Sequence, residues 1–245
     1  MNKTVSTLGP IADPVILFED NHLLVVVKPP GMLSQGDTTG DRSLVDWAAA
    51  YLKFRHKKRG NAYVGLIHRL DRPVGGVMVL ATTSKAAMRL TEQFQNRTIE
   101  KTYWAVTEKI PRETSETLTH HLRKKLNINM ISAFDEPVEG TKEAVMEYEV
   151  LATSGSRALL AVKPLTGRQH QIRVQLARVG CPVVGDGKYG KSGFLPDLSI
   201  GLYGHSLGFK HPVSKAALLF EALPPDQNPW NLFPEFLNQE GEIGN

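Results

Sequence analysis

The sequence contains one cysteine, Cys181, so it cannot form an internal disulfide, and at 245 residues it can bury a sizeable core without one. It has no long hydrophobic run. The strongest apolar stretch near the start, Leu23 to Val27, is far too short to cross a bilayer, and the opening "MNKTVSTLGPIADP" lacks the apolar centre of a signal peptide. The expectation is a soluble, cytoplasmic protein. There is no G-x-x-x-x-G-K-[ST] loop, no G-x-G-x-x-G after a strand and no H-E-x-x-H, which removes the commonest nucleotide and zinc-hydrolase signatures. Eight histidines leave a scattered zinc site open, but one cysteine excludes a thiolate-rich one. "GLYGHSLG" lacks the G-x-S-x-G spacing of a serine hydrolase. Internal repeats and low-complexity linkers are also missing.

Charge is present and unevenly spread. Lys and Arg exceed Asp and Glu by 29 to 25, a formal charge of +4. "KFRHKKRG", Lys53 to Gly60, holds five of these cations, and "HHLRKKLN", His120 to Asn127, holds three beside two histidines. Clusters of fixed cations suit a phosphate backbone, whose condensed counterions they release. They equally suit a solvated loop at a helix end.

Strand signals occur at "VILFEDNHLLVVVK", followed by a Pro-Gly loop that halts the sheet at Lys28. "SLVDWAAAYLKF" predicts a helix with Ser43 as N-cap and Asp46 completing a capping box; "VMVLATTSKAAMRLTEQF" predicts a strand feeding a helix capped at Thr83 or Ser84. The middle, Pro111 to Leu151, is polar and turn-rich, with short strand candidates before a clear strand over Ala144 to Leu151; the 120s read as an insertion or flap. Strands and helices mix without a βαβ period. The expected fold is α+β, a mixed, largely antiparallel central sheet with flanking helices and loops. The expected organisation is a lead over residues 1–15, one catalytic domain over 16–235 and a polar tail over 236–245.

Three positions carry chemistry. In "LIHRLDRPVGG" one carboxylate, Asp71, sits among His68, Arg69 and Arg72 between two apolar stretches, at a turn where Pro73 and two glycines follow. It is either a turn residue bonded to its own backbone or a nucleophile or base held beside a cation. In "LTGRQHQIRVQLARVG", Thr166 and Gly167 resemble a helix entry, and Arg173 lies between apolar neighbours. A buried guanidinium is costly unless a carboxylate answers it, and Asp71 is the candidate partner, the alternative being that Arg173 reaches solvent or another acid. Tyr103, in "EKTYWAV", is core packing unless it lies at the mouth of a basic cleft, where its ring can stack on a base.

These residues carry a resemblance. "HRLDRPVGG" resembles the H-R-L-D-x-x-T-S-G signature of the RluA-type RNA pseudouridine synthases, and four further segments follow in that family's order. They are "EDNHLLVVVKPPGMLSQ" with its K-P-x-G loop, "KTYWAV", "LTGRQHQIRVQLARVGCPVVGDGKYG" and "GHSLGFKHP". The resemblance implies isomerisation of uridine to pseudouridine in ribosomal or transfer RNA, without metal or cofactor, on a nucleotide flipped from its stack. It implies that Asp71 is the catalytic aspartate, that Tyr103 packs against the target base, and that Arg173 pairs with the aspartate. His68, Arg69 and Arg168 take positions that shape the site or meet RNA. The alternative is a catalytically silent RNA-binding or ribosome-associated protein that keeps the fold; a nucleoside or glycoside hydrolase is disfavoured by the basic clusters.

The chain departs from the pattern at Val74 and Gly75, which replace Thr and Ser, and at Gln175, where a histidine is usual. Such changes would relax the aspartate loop, alter RNA preference or mark a divergent branch. Only about 15 residues precede the first catalytic strand, so RNA capture is expected to rest on the catalytic domain, acting as a monomer. Its expected hands are Lys57, Lys58 and Arg59 in one cluster and Arg123, Lys124 and Lys125 in the other.

Overall fold

The computed structural model describes residues 11–57, 59–125, 128–191 and 193–238. Eleven strands form one sheet. β1 (Val15–Glu19) and β2 (Leu23–Lys28) make a hairpin, and β2 pairs with β4 (Gly75–Ala81). β4 meets β10 (Leu202–Lys210), which continues into β5 (Glu100–Thr107), β9 (Arg157–Pro164), β8 (Lys142–Ser154), β6 (Ser115–Lys124) and β7 (Ile131–Phe134). β3 (Gly65–Leu66) and β11 (Ala217–Glu221) add to β4 and β10. The β4–β10 contact is the one parallel pairing among the described strands, so the sheet is mixed and mostly antiparallel as expected.

Period-2 alternation sorts β2 and β4 onto two covered faces, which is why all seven residues of β4 are buried. Leu24, Val26, Met78 and Leu80 join one core with Leu44, Trp47, Ala48 and Leu52 of helix α1 (Leu44–Arg55). Each of those large helix side chains contributes about 1.5–3 kcal/mol on burial. Leu23, Val25, Val77 and Val79 face the other way, against Ala86 and Leu90 of α2 (Ser84–Gln95). The predicted caps are present: Ser43 and Asp46 form the capping box, and the Thr83 side chain accepts from Ala86 N–H. Helix α3 (Gln171–Arg178) lies on the α1 face through Ile172 and Leu176.

Several expectations need correction. The apolar stretch before His68 forms only the two-residue β3, because the chain must leave the sheet to carry Asp71 outward. The polar middle contains long strands, ten residues in β6 and thirteen in β8. Their solvated face accepts polar side chains at every second position, which disguises them in the sequence. Residues 120–124 are thus part of the sheet, paired with β8 from His120↔Ala144 to Leu122↔Lys142, and not a detached flap. Helix α3 begins at Gln171, beyond the expected entry at Thr166, because the Gln171 side chain is engaged by Thr166 Oγ and Arg168 N–H across the preceding loop. At the far end α4 (Pro234–Leu237) crosses the expected boundary at 235, and Phe236 and Leu237 pack on the core.

Candidate active site

Asp71 sits in a turn closed by Val74 N–H donating to its carbonyl at 3.0 Å. That turn is clamped by the Pro-Gly loop after β2. Ser34 Oγ donates to Leu70 O at 2.7 Å and accepts from Leu70 N–H at 3.2 Å, while Gly31 N–H donates to Arg72 O and Arg72 Nε–H donates back to Gly31 O. Lys28, with no exposed surface, donates through Nζ to Pro29 O at 3.0 Å, Met32 O at 2.8 Å and Arg72 O at 3.4 Å. Burial pushes this ammonium down to about 7, with Asp71 opposing the shift and Arg72 adding to it. The cations that surround Asp71 in sequence therefore do separate work. Arg72 turns outward to Asp41 at 2.7 Å, and Arg69 is exposed.

His68 lies behind the loop, in the sheet. Its Nε2 accepts from Val79 N–H at 3.1 Å, filling the gap on β4 between β3 and β10, and its ring stacks on Phe94 at 4.9 Å. Burial, helped by Lys101, lowers it to about 3, so it is a neutral acceptor there.

The departures at 74 and 75 are absorbed by packing, and Gly76 keeps the glycine of the pattern. Val74 enters the α1-side core, and a Cβ at Gly75 would lie 3.0 Å from both Pro30 and Tyr203. Gly76, at φ +133°, approaches β10 so closely that a Cβ would stand 2.4 Å from the Gly204 backbone. Only glycine permits this contact, and it sets the register that aligns the site. Gly204 pairs with Gly76 on one side and Tyr103 on the other, which brings Tyr103 of β5 across the sheet toward Asp71. Burial, then the charge of Asp71, pushes the Tyr103 hydroxyl up to about 12.

From the opposite side, α3 delivers Arg173, which is 4% exposed. Its Nη1 donates to Asp71 Oδ2 at 2.8 Å, and its Nε and Nη2 donate to the two oxygens of Asp186 at 2.7 Å each. Burial alone would favour the neutral guanidine. The hydrogen bonds and charge of Asp186, joined by Asp71, outweigh it and hold Arg173 protonated above its ordinary range. The expected Asp71–Arg173 pair is therefore present, but as part of a triad whose anchor is Asp186. The side chain of Asp186 is completely buried and also accepts from the Lys188 and Tyr189 amides. Sequence reasoning missed it as a partner, although "GDGKYG" was visible as a motif. Asp71 is the exposed member, its side chain 29% accessible, and among the described residues its Oδ1 accepts no hydrogen bond. One carboxylate oxygen is held and the other is presented.

The two basic clusters part company. Helix α1 carries Lys53 and Arg55 to the Glu19 end of the sheet, where His56 Nε2 meets Glu19 at 2.8 Å. Asp71 emerges at the other end, near Lys28 and Gly76, and β4 separates the two ends by about 14 Å at 3.4 Å per residue. Lys57 and Arg59 are exposed there, and Lys58 lies outside the described residues. The 120s cluster is on the Asp71 side instead. The hairpin from β6 to β7 touches the site's flanks through Asn129, which accepts from Gln169 Nε2 and from Lys188 Nζ. Arg123 covers Phe134 and donates to Glu139 O, while Lys124 and Lys125 are exposed. Arg168 donates to Glu143 O nearby.

Comparison with known proteins converges on one description. Residues 22–178 match the model of the RNA pseudouridylate synthase family. Ribosomal large subunit pseudouridine synthase C of Rickettsia conorii is 31% identical over 188 residues, covering 76% of this chain and 59% of the relative, so the chain spans little more than half of that protein. An uncharacterized RNA pseudouridine synthase of Zymomonas mobilis is 33% identical over 218 residues, covering 87% of this chain and 97% of the relative. Among solved structures, human RNA pseudouridylate synthase domain containing 4 superposes with a TM-score of 0.72 at 25% identity, over 86% of this chain and 88% of that one. The family match runs from the β1–β2 turn to the last residue of α3 and so encloses both Asp71 and Arg173; on that ground the chain belongs to the RNA pseudouridylate synthase family.

Proposed function

We propose that this protein isomerises uridine to pseudouridine in structured RNA, with Asp71 as the reacting carboxylate. The observation that carries the reading is the asymmetry of that carboxylate: Oδ2 is fixed by Arg173, while Oδ1 takes no hydrogen bond from the described residues in a side chain open to solvent. The reaction breaks N1–C1′, turns the uracil and rejoins it through C5, so it needs one ionised group at the sugar or base and a surface that retains the freed ring. Asp71 supplies the first, either by attack or by proton removal during glycal formation. Tyr103 supplies the second, and its raised hydroxyl keeps its proton at neutral pH, where it can donate but is a poor base. Arg173 orients Asp71 and keeps it ionised.

Lys124 and Lys125, beside the site, are the first phosphate contacts, and Lys57 and Arg59 are more distant ones on a longer RNA. Ribosomal RNA is the first substrate class to assay, since the Rickettsia relative is named for the large ribosomal subunit.

The test is pseudouridine mapping at single-nucleotide resolution on total RNA from cells with and without the gene, complemented by wild type or by Asp71→Asn. A site lost on deletion and restored by wild type alone is the expected result. No changed site, or full restoration by Asp71→Asn, overturns the proposal.

A further inference from the structure

Beside the Asp71–Arg173–Asp186 triad stands a second pair that the proposed chemistry does not yet use. His170 immediately precedes α3 in the left-handed region, at φ 54° and ψ 19°, and its side chain does not cap the helix. That conformation is uncommon for a non-glycine residue, although histidine enters it more readily than most. Its ring is turned inward: Nδ1 lies 2.7 Å from the Tyr189 hydroxyl, and Nε2 lies 3.8 Å from Asp71 Oδ2. The Tyr189 hydroxyl accepts from Ile131 N–H of β7 at 2.8 Å, and its ring packs edge-on to His170 and under the Arg173 guanidinium. Tyr189 therefore touches both groups that face Asp71.

The proton on the imidazole can be assigned from these contacts. With one lone pair filled by the Ile131 amide, the hydroxyl proton has His170 Nδ1 as its only acceptor among the described hydrogen bonds. A bare Nε2 lone pair facing a carboxylate would be repelled, whereas an Nε2–H is attracted. Both contacts select the same tautomer. The charged or titratable groups facing the ring are Asp71, Arg173, Asp186, Lys188 and Tyr189, and burial outweighs the carboxylates to keep the imidazole neutral.

We propose that His170 is a positioning residue for Asp71, its Nε2–H a second donor aimed at the same oxygen that Arg173 holds, with the tautomer set by Tyr189 and the β6–β7 hairpin. The present 3.8 Å is too long for a hydrogen bond. Such contacts shorten when substrate closes the site, and a second donor would then hold Oδ2 back and keep Oδ1 forward. The inference rests on reading Asp71 as the reacting carboxylate.

Two measurements separate its failure from failure of that reading. The first needs no activity: long-range 15N–1H spectra of 15N-histidine-labelled protein should show His170 at pH 7 as the neutral Nε2–H tautomer, with the Nε2 resonance moving in Asp71→Asn. An Nδ1–H tautomer, an imidazolium or an unmoved resonance overturns the inference even if the protein is an active synthase. The second uses single-turnover rates. His170→Asn tolerates the left-handed backbone but reaches only the Nδ1 position, whereas His170→Gln carries an amide N–H to the Nε2 position. His170→Asn should slow isomerisation by about tenfold or more, the scale of one hydrogen bond to a charged group, with RNA affinity unchanged. His170→Gln should recover most of the rate. Equal rates in the two variants, or no loss in His170→Asn, overturn it. If wild type makes no pseudouridine in any RNA, the reading of Asp71 falls and the spectra still decide the geometry of His170.

Discussion

Replacing Arg173 with Met should cost far more stability than replacing Asp71, although both belong to the same triad. Arg173 makes three charge-assisted hydrogen bonds of 2.7, 2.7 and 2.8 Å, two of them to a carboxylate with no exposed surface. Met fills the volume but leaves Asp186 buried with only the Lys188 and Tyr189 amides to answer it. Breaking a buried ion pair from one side costs about 3–5 kcal/mol. Against a total of about 5–15 kcal/mol, that is about a fifth of the stability or more. Asp71→Asn removes a single contact from a carboxylate that is partly in water and leaves Arg173 with its stronger partner; the loss should be about 1 kcal/mol. Urea unfolding followed by tryptophan fluorescence reads the difference: the Arg173→Met midpoint should drop by about 1–2 M. The Asp71→Asn midpoint should stay close to wild type while activity disappears. If Arg173→Met unfolds within about 1 kcal/mol of wild type, or Asp71→Asn is equally destabilised, the division into a structural anchor and a presented carboxylate is wrong.

His68 predicts an acid-side loss of stability. Its folded value near 3 lies below its ordinary 6.5, so from pH 6.5 down to 3 the unfolded chain binds a proton that the folded chain refuses. Stability contributed above pH 6.5 is then lost as pH falls, by up to about 1.4 kcal/mol per pH unit. His68→Asn, which keeps an acceptor without a titrating ring, should flatten that part of the stability–pH curve; an unchanged slope would refute the assignment. For RNA capture, Lys124→Ser with Lys125→Ser should weaken binding several-fold. It should also reduce the salt slope by about 0.7–0.9 per lost phosphate contact. Lys57→Ser with Arg59→Ser should do less on a short RNA, and the reverse order in filter-binding titrations would place the RNA along α1 instead.

Much of this protein was decided locally. The capping box at Ser43, the Thr83 cap, the alternation in β2 and β4 and the halt at Lys28 depend on neighbours within a few residues, so the sequence displays them directly. Asp71 and Arg173 were also legible, one as a carboxylate crowded by cations and the other as a guanidinium among apolar residues, because an uncompensated buried charge demands a partner. Which partner it takes is a tertiary fact. Asp186 is thirteen residues from Arg173 and Asp71 more than a hundred, and only the packing of α3 over the sheet brings all three together. The same packing sets His68 Nε2 on Val79 N–H of β4 and holds two similar basic clusters apart, one at the Glu19 end of the sheet and one on the hairpin that meets Gln169 and Lys188. Nor did composition reveal the long strands β6 and β8, whose one buried face halves the apolar signal. The sequence by itself determined the chemistry available and the capped elements that carry it. Tertiary structure alone decided which charges are satisfied, since close approach of distant side chains depends on where whole elements dock and not on any local pattern.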